Sequence, residues 1–491
     1  MMNKIFKLRG TSYDAMLLTF AKIVTAVLGL LITKLLSTHL SLQEYGTYSQ
    51  ALLIVSTASS ICILGLTDAT NYFYNSADSE DEKRRNVSTI FGIQYIIGAL
   101  AAITILLLTV PIIKYFDNRQ LKSVIIFAAW MPMLQNLISM LQALFVSVGK
   151  AKLIALRNFA VSVSRLIIVS ISCFLTDSIV TIFLLLLILD ILQVGYFLIL
   201  FSKLKFSITL RYFDWSRILS LLKFSVPMAV YILTNTLSKD IDKYVIGLLT
   251  NTETLAIYTN AAKQLPLDMP TMALLTVLVP IITRQIRSEE YISAQTTFRV
   301  YLRTGYLCTW IIAAGLVVVS KELIVFLYDD KYLPGLPIFI IYLFVDMIRF
   351  ANVSLVLSAK GKTAQLMLCS LTMLAMNLIF NVVSFRLLGI IGPALSTLVI
   401  TFGVTLVLLN MSAHVIRTSI YKLFNWKELF RVTTELLCVC VGSYILKGFL
   451  CQLFASTTIL MILTYGFYLI VVLLLNRAKI LDSIKNLNGL K

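Results

Sequence analysis

The chain has 491 residues, of which 59% are hydrophobic and 13% are charged, and 42 lysines and arginines stand against 24 aspartates and glutamates. Soluble domains are roughly 45–50% apolar and about 25% charged, so this composition excludes an ordinary soluble protein and predicts a polytopic membrane protein. The formal charge of +18 does not call for a nucleic-acid partner, because lysine and arginine accumulate in the cytoplasmic loops of membrane proteins. The seven cysteines lie in or at the ends of apolar segments, and they predict neither a disulfide framework nor a metal site.

Membrane-spanning helices are expected wherever about 20 mostly apolar residues follow one another. By this criterion we predict an all-α protein with about fourteen spans, at 13–36, 48–67, 88–110, 121–146, 153–175, 178–201, 222–249, 256–283, 299–320, 334–358, 364–386, 390–412, 431–454 and 456–476. The basic start of the chain precedes a long apolar run without a small-residue cleavage site, so we expect the first span to be retained. The linkers 202–221 and 413–430 mix basic and aromatic residues, which is typical of segments in the headgroup layer.

The basic residues are distributed unequally between the two sides of the predicted membrane. About 28 of them fall in the loops and ends on the side of the N-terminus, and about 7 fall in the loops on the other side. Positive residues mark the cytoplasmic side. We therefore expect both termini, including the tail 477–491, to be cytoplasmic.

Two stretches about 210 residues apart resemble each other and divide most of the chain into like halves. Residues 38–51 and 251–261 share one pattern, and residues 148–152 and 359–363 share another. We predict an N-terminal lobe of six spans at 1–201 and a C-terminal lobe of six spans at 222–412, with two further spans at 431–476. Such parallel repeats are common in secondary transporters, which bind substrate between the halves near the membrane midplane.

Several basic residues are predicted to lie inside spans, where an uncompensated charge is costly and usually faces a cavity or a protein interior. Lys22, Arg165 and Lys263 have no opposite charge within one helical turn. If they point inward, they line a cationic cavity for an anionic group such as a phosphate or diphosphate. The alternative is that they form salt bridges with acidic residues of other spans. For Arg349, a pair with Asp346 one turn earlier and a contact with substrate are equally compatible with the sequence.

Three acidic residues are candidates for coupling transport to a gradient of H⁺ or Na⁺. Asp190 is central in the sixth span and has no partner nearby in the sequence, and Asp240 and Asp242 alternate with lysines within 239–243. Intramembrane carboxylates of this kind mark ion pathways. The alternative for 239–243 is a solvated loop between two helices.

Two local features bear on helix continuity and on enzymatic activity. Pro266, Pro270 and Pro280 break helix hydrogen bonds in the eighth span and mark places where it can bend. The sequence 361–363 resembles the end of a phosphate-binding loop, but Val356 stands at the first glycine position of that motif. We expect no catalytic site, no metal and no cofactor.

Several motifs, which span roughly residues 10–412, include 42–49, 149–150, 242–247, 257–261 and 388–396. They resemble the polysaccharide-export branch of the multidrug/oligosaccharidyl-lipid/polysaccharide exporter superfamily, and most nearly its Wzx-type O-antigen flippases. The resemblance implies fourteen helices in a MATE- and MurJ-like fold with two six-helix lobes around a central cavity.

The implied activity is the transfer of an undecaprenyl-diphosphate-linked oligosaccharide across the bacterial inner membrane for O-antigen or capsule synthesis. The implied partners are this substrate, membrane lipids, and a polysaccharide polymerase or other assembly proteins. An ion-coupled drug antiporter of the same superfamily would favour an acidic, aromatic cavity, unlike the basic one predicted here. A membrane enzyme of glycan assembly, such as a polymerase or glycosyltransferase, would show a large outward loop or an acidic catalytic motif.

Overall fold

The computed structural model describes residues 24–148, 151–176, 178–203 and 208–489. The predicted site residue Lys22 lies outside these ranges. The regular structure within them is helical, with no strand. Twenty-one α-helices, numbered α1 to α21 in chain order, cover Val24–His39, Leu42–Cys62, Leu66–Asn75, Glu80–Leu107, Thr109–Phe116, Leu121–Ala128, Met131–Ser147, Ala151–Ile171, Ile179–Lys203, Ile218–Leu249, Thr252–Ala261, Met269–Arg287, Tyr291–Val318, Ser320–Tyr328, Leu336–Ile348, Leu355–Ala359, Thr363–Leu388, Gly392–Val415, Ile420–Leu423, Trp426–Leu453 and Thr457–Gly489.

Ten segments of the described chain are long and apolar enough to cross a membrane. Nine of them each match one predicted span, and Ala364–Val415 covers the two spans predicted at 364–386 and 390–412. The prediction of an all-α, multi-pass membrane protein is confirmed. The predicted spans outside these ten segments are the first, seventh and eighth; α1 describes the end of the first, and α10 covers the seventh.

The alternative that 239–243 forms a solvated loop is wrong, because these residues lie inside the uninterrupted helix α10. The ammonium Nζ of Lys243 lies 2.6 Å from Oδ1 of Asp240, one turn earlier on the same helix. Oppositely charged side chains at this spacing face each other and support a helix.

The eighth predicted span is not one continuous helix. It is divided between α11, which ends at Ala261, and α12, which begins at Met269, and 262–268 is not helical. Pro266 lies in this break. Proline has no N–H to donate and disfavours helical geometry in the residue before it, so the break has a local cause.

The start of α2 and its junction with α3 also have local causes. Ser41 Oγ accepts a hydrogen bond from the Glu44 N–H at 3.2 Å, and Glu44 Oε2 accepts one from the Ser41 N–H at 2.9 Å. This reciprocal capping box satisfies N–H groups that have no partner within the helix. Between α2 and α3, Gly65 has a φ of 65°, which glycine adopts without steric cost.

Contacts divide the chain into two compact units, Met1–Ala256 and Ile257–Lys491. In the first unit, α10 packs against α2, and Tyr244 donates a hydrogen bond to the Leu53 carbonyl at 2.8 Å. Its core contains Phe145, which makes edge-to-face contacts with Phe197 and Phe201 of α9. The limits predicted for the two six-span lobes, 1–201 and 222–412, stay predictions.

The core of the second unit is built mainly on α13. Phe298, Tyr301 and Tyr306 of this helix are buried together with Phe350 and Val432. The indole N–H of Trp310 donates to the Met347 carbonyl at 2.7 Å, which joins α13 to the end of α15. Bulky aromatic side chains bury much apolar surface, and they stabilise the packing of α13, α15 and α20.

Candidate functional site

A charged pair lies between two apolar helices of the first unit. The guanidinium Nη2 of Arg165 on α8 lies 3.6 Å from Oδ1 of Asp190 on α9. The Asp190 side chain is 1% exposed, and Gln193 donates a hydrogen bond to the same oxygen at 2.9 Å. Burying a carboxylate is costly unless it is paired and hydrogen-bonded, and Asp190 is both. The salt-bridge alternative for Arg165, which the sequence left open, is therefore what the structure shows.

A second guanidinium lies beside this pair. Arg157 is on α8, eight residues before Arg165, so the two side chains lie on one face of the helix. Its Nη2 donates to the Gln193 amide oxygen, its Nη1 donates to Asn158 Oδ1 at 2.9 Å, and its Cζ lies 5.1 Å from the Phe197 ring centre. Arg165 pairs with the Asp190 carboxylate directly, and Arg157 is linked to it only through Gln193, so two guanidinium groups and one carboxylate lie together. The resulting centre has a net positive charge.

Arg157 was not among the predicted site residues, because it was counted with the basic residues of the inward loops and helix ends. The signal that would have found it is the eight-residue spacing to Arg165, a little over two helical turns, which places the two side chains about 80° apart around the axis. Arg157 is buried and contacts Gln193 of α9, so it belongs to the packing between two helices and not to a loop.

Arg165 remains partly accessible although it is paired. Its side chain is 43% exposed within the apolar span Leu156–Thr176. A charged group that faces lipid is costly, and intramembrane charges therefore face a protein interior or a water-filled cavity. The exposed part of Arg165 indicates a polar space beside α8. One turn earlier, Ser162 Oγ donates to Thr25 Oγ1 of α1 at 3.4 Å, so polar side chains of α1 and α8 meet here.

The acidic residues of α10 have different surroundings. Asp240 forms the ion pair with Lys243, whereas the Asp242 side chain is 1% exposed and its Oδ1 accepts a hydrogen bond from the Lys243 N–H at 2.9 Å. Lys239 is exposed. Asp240 is thus held in an ion pair on its own helix, and Asp242 is a buried carboxylate.

In the second unit, the break between α11 and α12 contains Lys263 and receives an acidic partner from another helix. Asp346 Oδ2 of α15 accepts a hydrogen bond from the Leu265 N–H at 3.2 Å. Asp346 thereby satisfies one of the backbone groups that the break leaves without a helical partner. The site candidate Lys263 lies two residues from this contact.

Arg349 does not form the pair with Asp346 that the sequence left open. Within the described chain no ion pair joins them at 4.0 Å or less, and Arg349 Nη2 instead donates to Thr401 Oγ1 of α18 at 3.5 Å. Its Nη1 is buried without a hydrogen-bond partner among the described residues. The guanidinium therefore retains unused donor capacity.

A polar stripe on α17, the helix of the eleventh predicted span, contains two buried asparagines. The amide groups of Asn377 and Asn381 on α17 have no hydrogen-bond partner in the part of the chain that the structure describes. On the same stripe, Ser396 Oγ of α18 donates to Ser384 Oγ at 2.8 Å. Unpaired buried amides cost free energy, so packing alone does not account for asparagine at these two positions.

Comparison with known families supplies the decisive observation. The family model described as polysaccharide biosynthesis protein matches residues 35–337, which is more than half of the chain. The chain belongs to the polysaccharide biosynthesis protein family. No curated protein matches the sequence significantly.

Solved structures with the same fold are transporters and flippases. The lipid II flippase MurJ, in an inward closed conformation, superposes with a TM-score of 0.75 at 18% identity over 95% of this chain and 100% of that chain. A multidrug resistance MATE family transporter of the MOP superfamily, in an inward-facing conformation, has a TM-score of 0.66 at 12% identity over 80% of this chain and 94% of that chain.

A third structure is a MOP superfamily transporter from Pyrococcus furiosus, described as having a binding pocket of reverse polarity. Its TM-score is 0.57 at 13% identity, over 82% of this chain and 94% of that chain. At sequence identities of 12–18%, the structural similarity establishes the fold only. The expected MATE- and MurJ-like architecture is confirmed for this member of the polysaccharide biosynthesis protein family.

Proposed function

We propose that this protein is a flippase that moves an undecaprenyl-diphosphate-linked oligosaccharide from the cytoplasmic to the outer leaflet of the bacterial inner membrane. It would do so by alternating access, as a step in O-antigen or capsule synthesis. The family supports a role in polysaccharide synthesis, and MurJ, whose fold it shares, is a lipid II flippase. The fold is that of transporters, and the proposal assigns no enzymatic step to the chain.

The observation that carries the proposal is the net positive centre of the first unit. Arg165 pairs with Asp190, Arg157 is linked to the same carboxylate through Gln193, and Arg165 keeps 43% of its side chain exposed inside an apolar span. A diphosphate loses hydration when it enters a membrane, and fixed guanidinium groups offset that cost with charge-assisted hydrogen bonds. We assign Lys22, Lys263 and Arg349 to the same anion-binding role.

The Arg165–Asp190 pair suggests how substrate and ion are coupled. A diphosphate that contacts Arg165 competes with Asp190 for the guanidinium, and the released carboxylate then gains affinity for H⁺ or Na⁺. Substrate and coupling ion would thereby favour each other's binding, since such coupling is reciprocal. Asp240 and Asp242 are the further candidates for the ion path.

Complementation of a flippase-deficient strain tests the anion-binding role. We expect Lys22→Ala, Lys263→Ala and Arg165→Gln, whose amide can still donate to the buried Asp190, to reach the membrane at normal levels and to fail to restore surface glycan. Lys114→Ala is the matched control, because Lys114 is an exposed lysine with no ion pair among the described residues. Full complementation by all three variants would refute the proposal.

Asp190→Asn tests the coupling role. This change keeps the hydrogen-bond acceptor and removes the charge, so transport should fall and should lose its dependence on the ion gradient. Dissipating the proton or sodium gradient in cells carrying each form measures that dependence. Gradient-dependent transport at the original rate in Asp190→Asn would make Asp190 a purely structural residue.

A drug antiporter is the second candidate, and the similarity to MATE transporters favours it. Such a protein takes up organic cations, which a centre of two guanidiniums and one carboxylate repels. Efflux of a cationic dye from cells that express the protein distinguishes the two functions. We expect no efflux above that of cells with an empty vector.

A further inference from the structure

A cavity of about 200 Å³ opens in the second unit between the start of α13 and the segment that joins α19 to α20. Its volume can hold a phosphate group but not a sugar chain. Polar, basic and aromatic side chains line it: Arg299, Arg303, Tyr306, Lys422, Phe424 and Asn425. This combination of three basic groups with an amide is suited to an anion.

The three basic residues differ in how their charge is balanced. Arg303 Nε and Nη2 each lie 2.8 Å from Glu428 Oε1, and Nη1 lies 2.5 Å from Asp482 Oδ2. Arg299 and Lys422 form no ion pair with any residue in the described ranges. The charge on Arg303 is therefore used within the protein, and the charges on Arg299 and Lys422 are not.

The guanidinium of Arg299 has no polar partner within the described protein. Its Nε is buried and makes no hydrogen bond to any described residue. No group of the described chain therefore neutralises the Arg299 charge at the cavity wall. Asn425 Oδ1 already accepts from the Glu428 N–H at 3.3 Å, which leaves the Asn425 amide NH₂ as a further donor at the cavity wall.

The position of the cavity relates it to the lipid headgroups. The segment that lines it connects the apolar helices α18 and α20, so it lies at a membrane surface. Tyr421, Trp426 and Phe430 are 74%, 50% and 76% exposed, and Lys427 and Arg431 are exposed beside them. Exposed aromatic and basic residues together are typical of the headgroup layer.

We propose that this cavity binds the phosphodiester of an anionic phospholipid, with Arg299 and Lys422 as its cationic contacts. Arginine binds a phosphate through two parallel N–H groups, and lysine contributes a point charge. Basic pockets beside transmembrane helices bind anionic headgroups in this way. The bound lipid would join α13 to the α19–α20 segment. This site is independent of the proposed transport activity.

Native mass spectrometry of the full-length protein in detergent, titrated with dioleoyl phosphatidylglycerol or dioleoyl phosphatidylethanolamine, tests the proposal. The wild type should bind one phosphatidylglycerol in preference to phosphatidylethanolamine. Arg299→Gln and Lys422→Gln should each weaken this binding about fivefold, and the double variant about 25-fold, since each basic residue near an anionic lipid contributes a factor of about five. Arg299→Lys, which keeps the charge, should retain most of the binding.

Lys427→Gln is the matched control, since Lys427 is an exposed lysine at the start of α20, two residues after Asn425, that does not line the cavity. Its binding of phosphatidylglycerol should equal that of the wild type. A third titration with inorganic phosphate separates a free anion from a lipid, and phosphate should not displace the lipid. Equal binding of the two lipids by the wild type would overturn the assignment. So would a loss of phosphatidylglycerol binding in Lys427→Gln as large as that in Arg299→Gln or Lys422→Gln, or displacement of the lipid by phosphate.

Discussion

At the scale of single residues, the positive centre of the first unit depends on groups that are far apart in the sequence. Arg165 and Asp190 lie on different helices, and Gln193 links Asp190 to Arg157. Removing the Asp190 carboxylate would leave two guanidinium groups without a negative partner. Removing Arg165 would leave one guanidinium, that of Arg157, and one carboxylate. The order of the charges on each helix alone does not reveal this asymmetry, which decides the net charge of the centre.

Gly46 marks a close approach between two segments of the first unit. A Cβ at this position would lie 2.2 Å from the Thr252 carbonyl oxygen, so the start of α2 and the start of α11 meet with no room for a methyl group. Gln50, one turn after Gly46, donates to Thr252 Oγ1 at 3.2 Å across the same contact. Only glycine allows the two backbones to lie this close.

We expect Gly46→Ala to lower the free energy of unfolding by about 1–3 kcal/mol, because an added methyl group in a tightly packed contact forces the backbones apart. The control is Gly29→Ala on α1, where a Cβ would meet no atom within 4 Å. Alanine has a higher helix propensity than glycine, so Gly29→Ala should leave the free energy of unfolding unchanged or raise it slightly. Thermal unfolding in detergent measures both, and equal stability of the two variants would contradict the close approach.

At the scale of elements, the linker between α9 and α10 is held against α4 by hydrogen bonds and ion pairs. Arg217 Nη1 lies 3.1 Å from Glu82 Oε1 and donates to Asn86 Oδ1 at 2.6 Å. The Asp214 N–H donates to Thr89 Oγ1 at 3.0 Å. Hydrogen bonds from Ser216, and the nearby Arg217, hold the pKa of Asp214 below its usual value. The part of the linker from 208 to 217 is therefore packed against α4 in the first unit.

We expect Arg217→Gln to increase chymotrypsin cleavage of the linker severalfold, because its ion pair with Glu82 and its contact with Asp214 are lost. The matched control is Arg211→Gln, since Arg211 is an exposed arginine of the same linker without an ion pair among the described residues. A carboxyl group with a lowered pKa contributes stability that is present above its usual pKa, about 3.9, and is lost only as the pH falls through the lowered value. Protection of the wild-type linker should therefore be constant from pH 5 to 8. Equal cleavage of both variants would show that Arg217 does not hold the linker.

At the scale of the whole molecule, the basic residues predict which loops face the cytoplasm. We expect 76–87 and 202–221 inside and 329–333 outside. Single cysteines at Glu80, Arg211 and Asp330, three exposed positions, report this on a background in which the seven native cysteines are replaced by alanine. An impermeant thiol reagent added to whole cells should label only Asp330→Cys. Labelling of Glu80→Cys and Arg211→Cys but not of Asp330→Cys would show that the protein has the opposite orientation.

The sequence by itself determined the class of this protein and most of its helices. Whether a segment of about 20 residues is apolar is a local property, and so are the capping box at Ser41 and the break at Pro266. The short motifs, among them 42–49 and 257–261, together indicated the family. Each of these features depends on residues close together in the chain.

Only the tertiary structure decided which charges meet. Arg165 meets Asp190 across two helices, and Asp346 accepts from Leu265, 81 residues away, rather than from its sequence neighbour Arg349. Hydropathy sets how long a helix is, but the rotation and depth of each helix follow from the packing of all its neighbours. A shift of one residue turns a side chain by about 100° around the helix axis. The partner of an intramembrane charge therefore depends on the assembled helices and cannot be read from its own segment.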